Sequence, residues 1–180
     1  MTRFLLSLAA GAAALGAAPS LAPAAAARSC SAGQPSALKG HNTNAPIDWE
    51  TDRMDVDDKA NRAVLTGNVV AKQGDLTLTA ARVTAAYRSK PSVHVERLDA
   101  SGGVTVRSPS ETARGEYGIY DLDKKIITLV GNVTLSRCDG TINGGRLVYD
   151  LSSGRVVMDG SGPSQSGRVS GTFTVPKSSS

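Results

Sequence analysis

The chain has 180 residues, a formal net charge of +4, 40% apolar and 4% aromatic residues, and two Cys. That length suits one domain, or one domain with a removable segment. Two Cys are too few for a disulfide scaffold or a Cys-rich zinc site. Past residue 27 no apolar run reaches the roughly 18 residues of a spanning helix, and the dispersed charge gives no argument for nucleic acid.

Residues 1–27 read as a secretory signal peptide. Arg3 supplies the positive start, Phe4 to Ala18 the apolar stretch, and Ala25-Ala26-Ala27 an A-x-A cleavage site, with the cut expected after Ala27. Cys30 invites a lipoprotein reading, but Ala27-Arg28-Ser29 puts a charge beside the site and no larger apolar residue three places before it. The expected compartment of the mature protein is the bacterial periplasm, which permits disulfides. A Cys30–Cys138 bridge, free thiols and an intermolecular bridge all stay open.

Residues 28–45 are rich in Ser, Gly, Pro and Asn and read as a flexible lead-in. From residue 46 to 176 the texture changes to short apolar alternations broken by Gly, Asp-Gly and Ser-Gly. Period two with Val, Ile, Thr and Tyr predicts strands, and no window holds a helical stripe. Residues 177–180 read as a disordered tail.

Internal repeats organise this region. Leu65-Thr66-Gly67-Asn68-Val69 matches Leu129-Val130-Gly131-Asn132-Val133, and the match runs on through Leu78/Ile142 and Val83/Leu147. Tyr120-Asp121-Leu122 matches Tyr149-Asp150-Leu151, which read as turns. The anchor glycines Gly67, Gly102, Gly131 and Gly160 each begin a module with room for two strands. Ala63, Leu65, Val69 and Ala71 share one face, as do Leu98, Ala100, Val104 and Val106, and Ile127, Leu129, Val133 and Leu135. The anchor glycines are expected on that apolar face, marking bulges or close backbone approach. With no helix to cover them, apolar faces must meet other strands. The expected fold is all-β, a sandwich or rolled sheet with an almost wholly aliphatic interior. That interior either closes tightly or leaves a slot.

Several other patterns carry little chemistry. Asp52, Asp55, Asp57 and Asp58 lack the closing Glu of a calcium loop and read as a solvated turn. Ser36-Ala37-Leu38-Lys39 matches S-x-x-K without its companion motifs. His41 and His94 stand outside any ligand-spaced cluster. No catalytic set, cofactor or metal is expected.

The leader, Pro46-Ile47-Asp48-Trp49-Glu50, the two Leu-x-Gly-Asn-Val copies, the Tyr-Asp-Leu pair and Gly74 to Ala80 together resemble the LptA/OstA-like periplasmic lipopolysaccharide transport proteins. The resemblance covers roughly residues 46–175. It implies an open, twisted β-jellyroll built from repeated two-strand modules. It implies a bridge that shields the lipid A acyl chains of lipopolysaccharide between its sheets. By head-to-tail strand stacking, such a bridge passes lipopolysaccharide from the inner-membrane export complex to the outer-membrane translocon. LptC-like and LptD-like neighbours and end-to-end self-association follow from it, with no nucleic acid and no enzymatic role. The interior lipid-binding face is then expected at Leu65, Val69, Leu78, Val83, Val104, Val106, Ile127, Leu129, Val133, Leu135, Ile142, Leu147 and Met158. A headgroup rim is expected at Arg82, Arg88, Lys90, Arg107 and Arg114. Ile47 and Trp49 at one end, and Val169, Phe173 and Val175 at the other, are the expected partner-strand edges. Trp49 is read equally as an interface anchor or a core filler. Two alternatives remain: a structural β-solenoid or adhesin-type module without lipid cargo, and a periplasmic enzyme on a jellyroll scaffold.

Overall fold

The computed structural model of the chain describes Leu38, residues 41–162 and residues 165–174. The expected leader and its Ala27 cut, Cys30, Val175 and the 177–180 tail lie outside the described residues. The described chain forms twelve strands: β1 Ile47–Glu50, β2 Arg53–Asp57, β3 Arg62–Gln73, β4 Leu76–Arg88, β5 His94–Arg107, β6 Glu111–Asp121, β7 Ile126–Arg137, β8 Gly140–Asp150, β9 Arg155–Asp159, β10 Ser161–Gly162, β11 Gln165–Ser166 and β12 Ser170–Phe173. The long strands β3 to β8 pair antiparallel in chain order. Short strands finish each end. β1 and β2 pair with the two halves of β3, while β12 and β9 pair with the two halves of β8.

Every long strand is broken near its middle. The pairing register shifts at Thr66/Val69, Thr79/Arg82, Ser101/Val104, Arg114/Tyr117 and Val130/Val133. These bulges line up across the sheet as one crease, and bulges bend strands. The sheet folds along the crease, so one half of each strand faces the other half across a shared core. Leu129 and Val133, either side of the bulge on β7, are both 0% exposed. Burying each such side chain contributes about 1.5–3 kcal/mol.

The crease explains the anchor glycines. Gly67-Asn68, Gly102-Gly103 and Gly131-Asn132 all have positive φ. These two-residue insertions preserve parity along β3, β5 and β7. The partner strands shift instead: β4 turns Leu76, Leu78 and Ala80 inward, then Val83, with Ala81 and Arg82 both outside. Two expectations are corrected here. A Cβ on Gly67, Gly102 or Gly131 would meet the side chain of Asp52, Ala81 or Glu116, so these glycines turn off the apolar face. Gly160 makes no bulge; it follows β9, where the backbone of Gly167 and Arg168 crowds it.

The turns repeat as well. Asp57, Asp121 and Asp150 each end a strand, and each carboxylate accepts a backbone N–H three residues on, from Ala60, Lys124 and Ser153. The next residue, Asn61, Lys125 or Gly154, has positive φ. Such Asx hydrogen bonds fix a tight reversal. Side-chain bonds from Lys124 and Ser153, helped by these backbone bonds, hold Asp121 and Asp150 below the usual carboxylate range.

Candidate functional site

The space between the halves is uneven. Toward β1 and β2 it opens into a cavity of about 370 Å³. β1 contributes Ile47 and Trp49, and β2 contributes Met54 and Val56. β3 adds Leu65 and Val69, β4 adds Val83 and Tyr87, and β5 adds Val95 and Leu98, with Val93 just before it. The lip is apolar and wet: Trp49 is 49% exposed, Val56 54% and Val93 73%. The polar members are Asp58 and Tyr87, whose hydroxyl donates to Asp58 Oδ1 at 2.8 Å. That bond raises the Tyr87 pKa. Farther along, toward β6 to β8, the halves close.

The thirteen expected interior residues all sit on the inward side. Eleven are buried, and Ile142 and Met158 are partly buried against them. The structure separates them, however. Leu65, Val69 and Val83 line the open cavity. Val106, Ile127, Leu129, Leu135 and Leu147 surround a gap of only about 10 Å³.

The aliphatic interior is corrected too. Tyr120 and Tyr149, read as turn residues, are the last inward side chains of β6 and β8, 3% and 1% exposed. Each joins the two halves with a buried hydrogen bond. Tyr120 donates to Gln73 Oε1 at 2.7 Å, and Tyr149 to Glu111 Oε1 at 3.0 Å. Arg137 Nε lies 3.1 Å from Glu111 Oε2. Burial pushes the Tyr120 phenol up to about 12. It raises Tyr149 as well, with the Glu111 charge adding to it.

The lead-in also departs from expectation. Leu38 is 4% exposed within the core. Gln73 Nε2 donates to Thr43 O at 2.9 Å and Ala45 O at 3.0 Å, while His41 Nε2 lies 3.2 Å from Gln73 Oε1. The described part of residues 28–45 therefore packs on the domain. Cys138, in the turn after β7, is disulfide-bonded.

The five expected rim cations do not gather. Arg82 and Arg114 stand on the outer face beside the crease, and Arg107 ends β5. Arg88 pairs with Glu96 and Asp123, and Lys90 is exposed in the following loop. The edge residues fall on terminal strands: Ile47 and Trp49 on β1, Phe173 on β12, and Val169 just before it, 46% exposed. Sequence reasoning missed the terminal strand β2, whereas β9 carries the expected interior residue Met158. The stretch Arg53-Met54-Asp55-Val56-Asp57 was expected as a solvated turn, yet it is a strand with Met54 and Val56 toward the cavity. The alternation was there to be read beneath the Asp content. Arg53 pairs with Asp55 at 2.9 Å and keeps that carboxyl low.

Comparisons with known proteins agree with this architecture. A family described as "LptA/(LptD N-terminal domain) LPS transport protein" matches residues 50–155. An uncharacterised protein of Rhizobium meliloti is 31% identical over 128 residues, 67% of this chain and 69% of that protein. The lipopolysaccharide export system protein LptA of Haemophilus influenzae is 28% identical over 130 residues, 69% of this chain and 76% of that protein. The solved structure of LptH, the LptA homologous periplasmic component of the lipopolysaccharide transport device of Pseudomonas aeruginosa, shares the fold. Its TM-score is 0.68 at 21% identity, over 75% of this chain and 99% of that one. The open, folded-over sheet, its crease of bulges and the family match over residues 50–155 lead to one conclusion: the chain belongs to the LptA/LptD N-terminal domain family of lipopolysaccharide transport proteins.

Proposed function

We propose that this protein carries lipopolysaccharide across the periplasm as a non-enzymatic bridge component. The acyl chains of its lipid A part enter between the sheet halves through the β1–β2 end, while the sugar–phosphate part stays in water. The expected leader, cut near Ala27, accounts for export. Copies stack end to end, β1 and β2 of one against β9 and β12 of the next, with an LptC-like protein and an LptD-like translocon at the two ends of the stack.

The observation that carries this reading is the apolar cavity of about 370 Å³ with its exposed lip. Apolar area left in water costs about 25 cal/mol per Å², and contiguous exposed apolar patches mark interaction sites. Each CH₂ of an acyl chain buried there returns about 0.8 kcal/mol. A module that buried only its own core would have no use for such a lip. The volume sits at the small end of the roughly 300–1,000 Å³ of ligand sites. A lipid with several acyl chains therefore engages it in part, or spreads the halves further.

Trp49 is the chain's single Trp and lines the cavity, so it reports directly. Titrating purified protein with lipopolysaccharide is expected to shift its emission to the blue. Val56→Asp is expected to weaken binding about tenfold, or roughly 1.4 kcal/mol. Arg114→Asp on the outer face is expected to leave it within about twofold. No Trp49 response, or equal losses from both variants, would remove the reading.

A further inference from the structure

We propose that the crease yields first at the bulge between β4 and β5, and that Ala81 and Gly103 thereby set how many acyl chains the cavity admits. This rests on the lipid-carrying reading above and adds to it a preference among lipids.

Three observations carry it. First, the bulges repeat but their side chains do not. β3, β5 and β7 carry Gly67-Asn68, Gly102-Gly103 and Gly131-Asn132, all with positive φ. The neighbouring chain that precedes each brings one residue against the first glycine: Asp52, Ala81 or Glu116. At two of the three a carboxylate then bonds across the bulge. Asn68 Nδ2 donates to Asp52 Oδ2 at 2.9 Å, and Asn132 Nδ2 to Glu116 Oε1 at 2.7 Å. Hydrogen bonds to a carboxylate are among the stronger ones. Between β4 and β5, Ala81 and Gly103 have no side-chain polar atom, so no such lock can form. Side-chain contact alone holds that bulge, where a Cβ on Gly102 would lie 2.6 Å from Ala81 Cβ.

Second, the unlocked bulge lies over the cavity. On its outer side Asn68, Thr79, Ala81, Gly102 and Gly103 border a groove of about 610 Å³, and Val69 lines both that groove and the cavity. Val83, just past Arg82, and Leu98 on β5 line the cavity as well. The Glu116–Asn132 lock lies instead on β6 and β7, where the halves are closed. Third, Gly103 is suited to move. Hinges are a few residues, often small, that absorb a change in φ and ψ, and a Cβ on Gly103 would meet nothing within 4 Å. The cavity, about 370 Å³, is at the small end of ligand sites. A single chain enters it as it stands, whereas several chains need the halves to part.

The test restores the lock. Ala81→Asp with Gly103→Asn copies the pair found at the other two bulges, in the whole exported protein. Trp49 emission follows titration with two probes, purified lipopolysaccharide and dodecylphosphocholine below its micelle concentration; the unmodified protein is expected to respond to both. The double variant is expected to bind lipopolysaccharide at least about tenfold more weakly and dodecylphosphocholine within about twofold. Gly103→Asn alone, which lacks the carboxylate, is expected to leave both within about threefold. If the double variant does not fold, Glu116→Ala reads the same claim from the other side. Removing a lock makes parting easier, so lipopolysaccharide is expected to bind at least about threefold tighter, with dodecylphosphocholine unchanged. Unchanged lipopolysaccharide binding by the folded double variant, or by Glu116→Ala in its place, would overturn the hinge while the Trp49 response of the unmodified protein stands. Equal losses for the two probes, or the full loss from Gly103→Asn alone, would overturn it too. No Trp49 response to lipopolysaccharide in the unmodified protein would overturn the cargo reading, and the hinge with it.

Discussion

The two Tyr clasps combine stability with a constraint on opening. Each phenol body fills the interior and each hydroxyl is satisfied across the halves, by Gln73 or Glu111. Removing one hydroxyl strands a buried acceptor, which costs about 1–3 kcal/mol. Tyr149→Phe is therefore expected to lower stability by about 2 kcal/mol, read from the denaturant midpoint. Tyr120 adds a pH dependence. The unfolded chain releases its phenol proton near pH 10.0, while burial holds it in the folded chain to about 12. The folded state thus binds more protons in that window. Stability from this group is intact below pH 10 and lost as pH rises toward about 12, on the order of 2–3 kcal/mol. Tyr120→Phe is expected to flatten that part of the stability–pH curve, and an unchanged slope would contradict the assignment. Neither clasp was legible in the sequence. The Tyr-Asp-Leu repeat showed the position, but Asp121 and Asp150 mark turns so strongly that the adjacent Tyr was read with them. Gln73 and Glu111 gave no local signal, since a buried polar group is identified by its partner.

At the level of elements, the crease separates what the repeats disclosed from what they hid. Along β3, β5 and β7 a two-residue insertion keeps side-chain parity, so the inward faces from Ala63 to Leu135 were readable by alternation. Along β4, β6 and β8 parity shifts in mid-strand, at Ala81-Arg82, at Gly115 to Tyr117 and at Gly145-Arg146. A bulge sets that shift through its pairing partner, and the strand's own sequence does not announce it. Two adjacent glycines test the crease. Gly102 and Gly103 have φ of 82° and 81°, but a Cβ on Gly102 would lie 2.6 Å from Ala81 Cβ, whereas one on Gly103 would meet nothing within 4 Å. Gly103→Ala bears only the backbone cost, about 1–2 kcal/mol. Gly102→Ala adds a clash with a methyl that no rotamer change can move aside, and is expected to cost at least about 1 kcal/mol more. Equal thermal shifts for the two would mean that the crease relaxes freely.

At the scale of the whole molecule, the fold leaves four short strands at two ends, β1 and β2 on β3 and β12 and β9 on β8, with no further strand paired outside them in that sheet among the described residues. Such edges invite strand addition. Trp49 and Val56 at one end, and Val169 and Phe173 at the other, leave apolar side chains in water beside them. Phe173→Glu is expected to shift the protein toward monomer in sedimentation velocity while leaving the Trp49 response to lipopolysaccharide intact. An unchanged distribution of species would argue against stacking through β12. The two ends differ in one respect that bears on transport: the β1–β2 end is open between the halves, while the body behind it is closed by Leu38 and the clasps.

The most direct test compares two neighbouring residues of β2. Met54 faces the cavity and Asp55 faces out, paired with Arg53. A photo-crosslinking side chain placed at each in turn, in cells, is followed by blotting for lipopolysaccharide. A lipid adduct at Met54 and none at Asp55 is the predicted result. Adducts at both positions, or at neither in folded and exported protein, would contradict the claim that this protein carries lipid between the halves of its sheet.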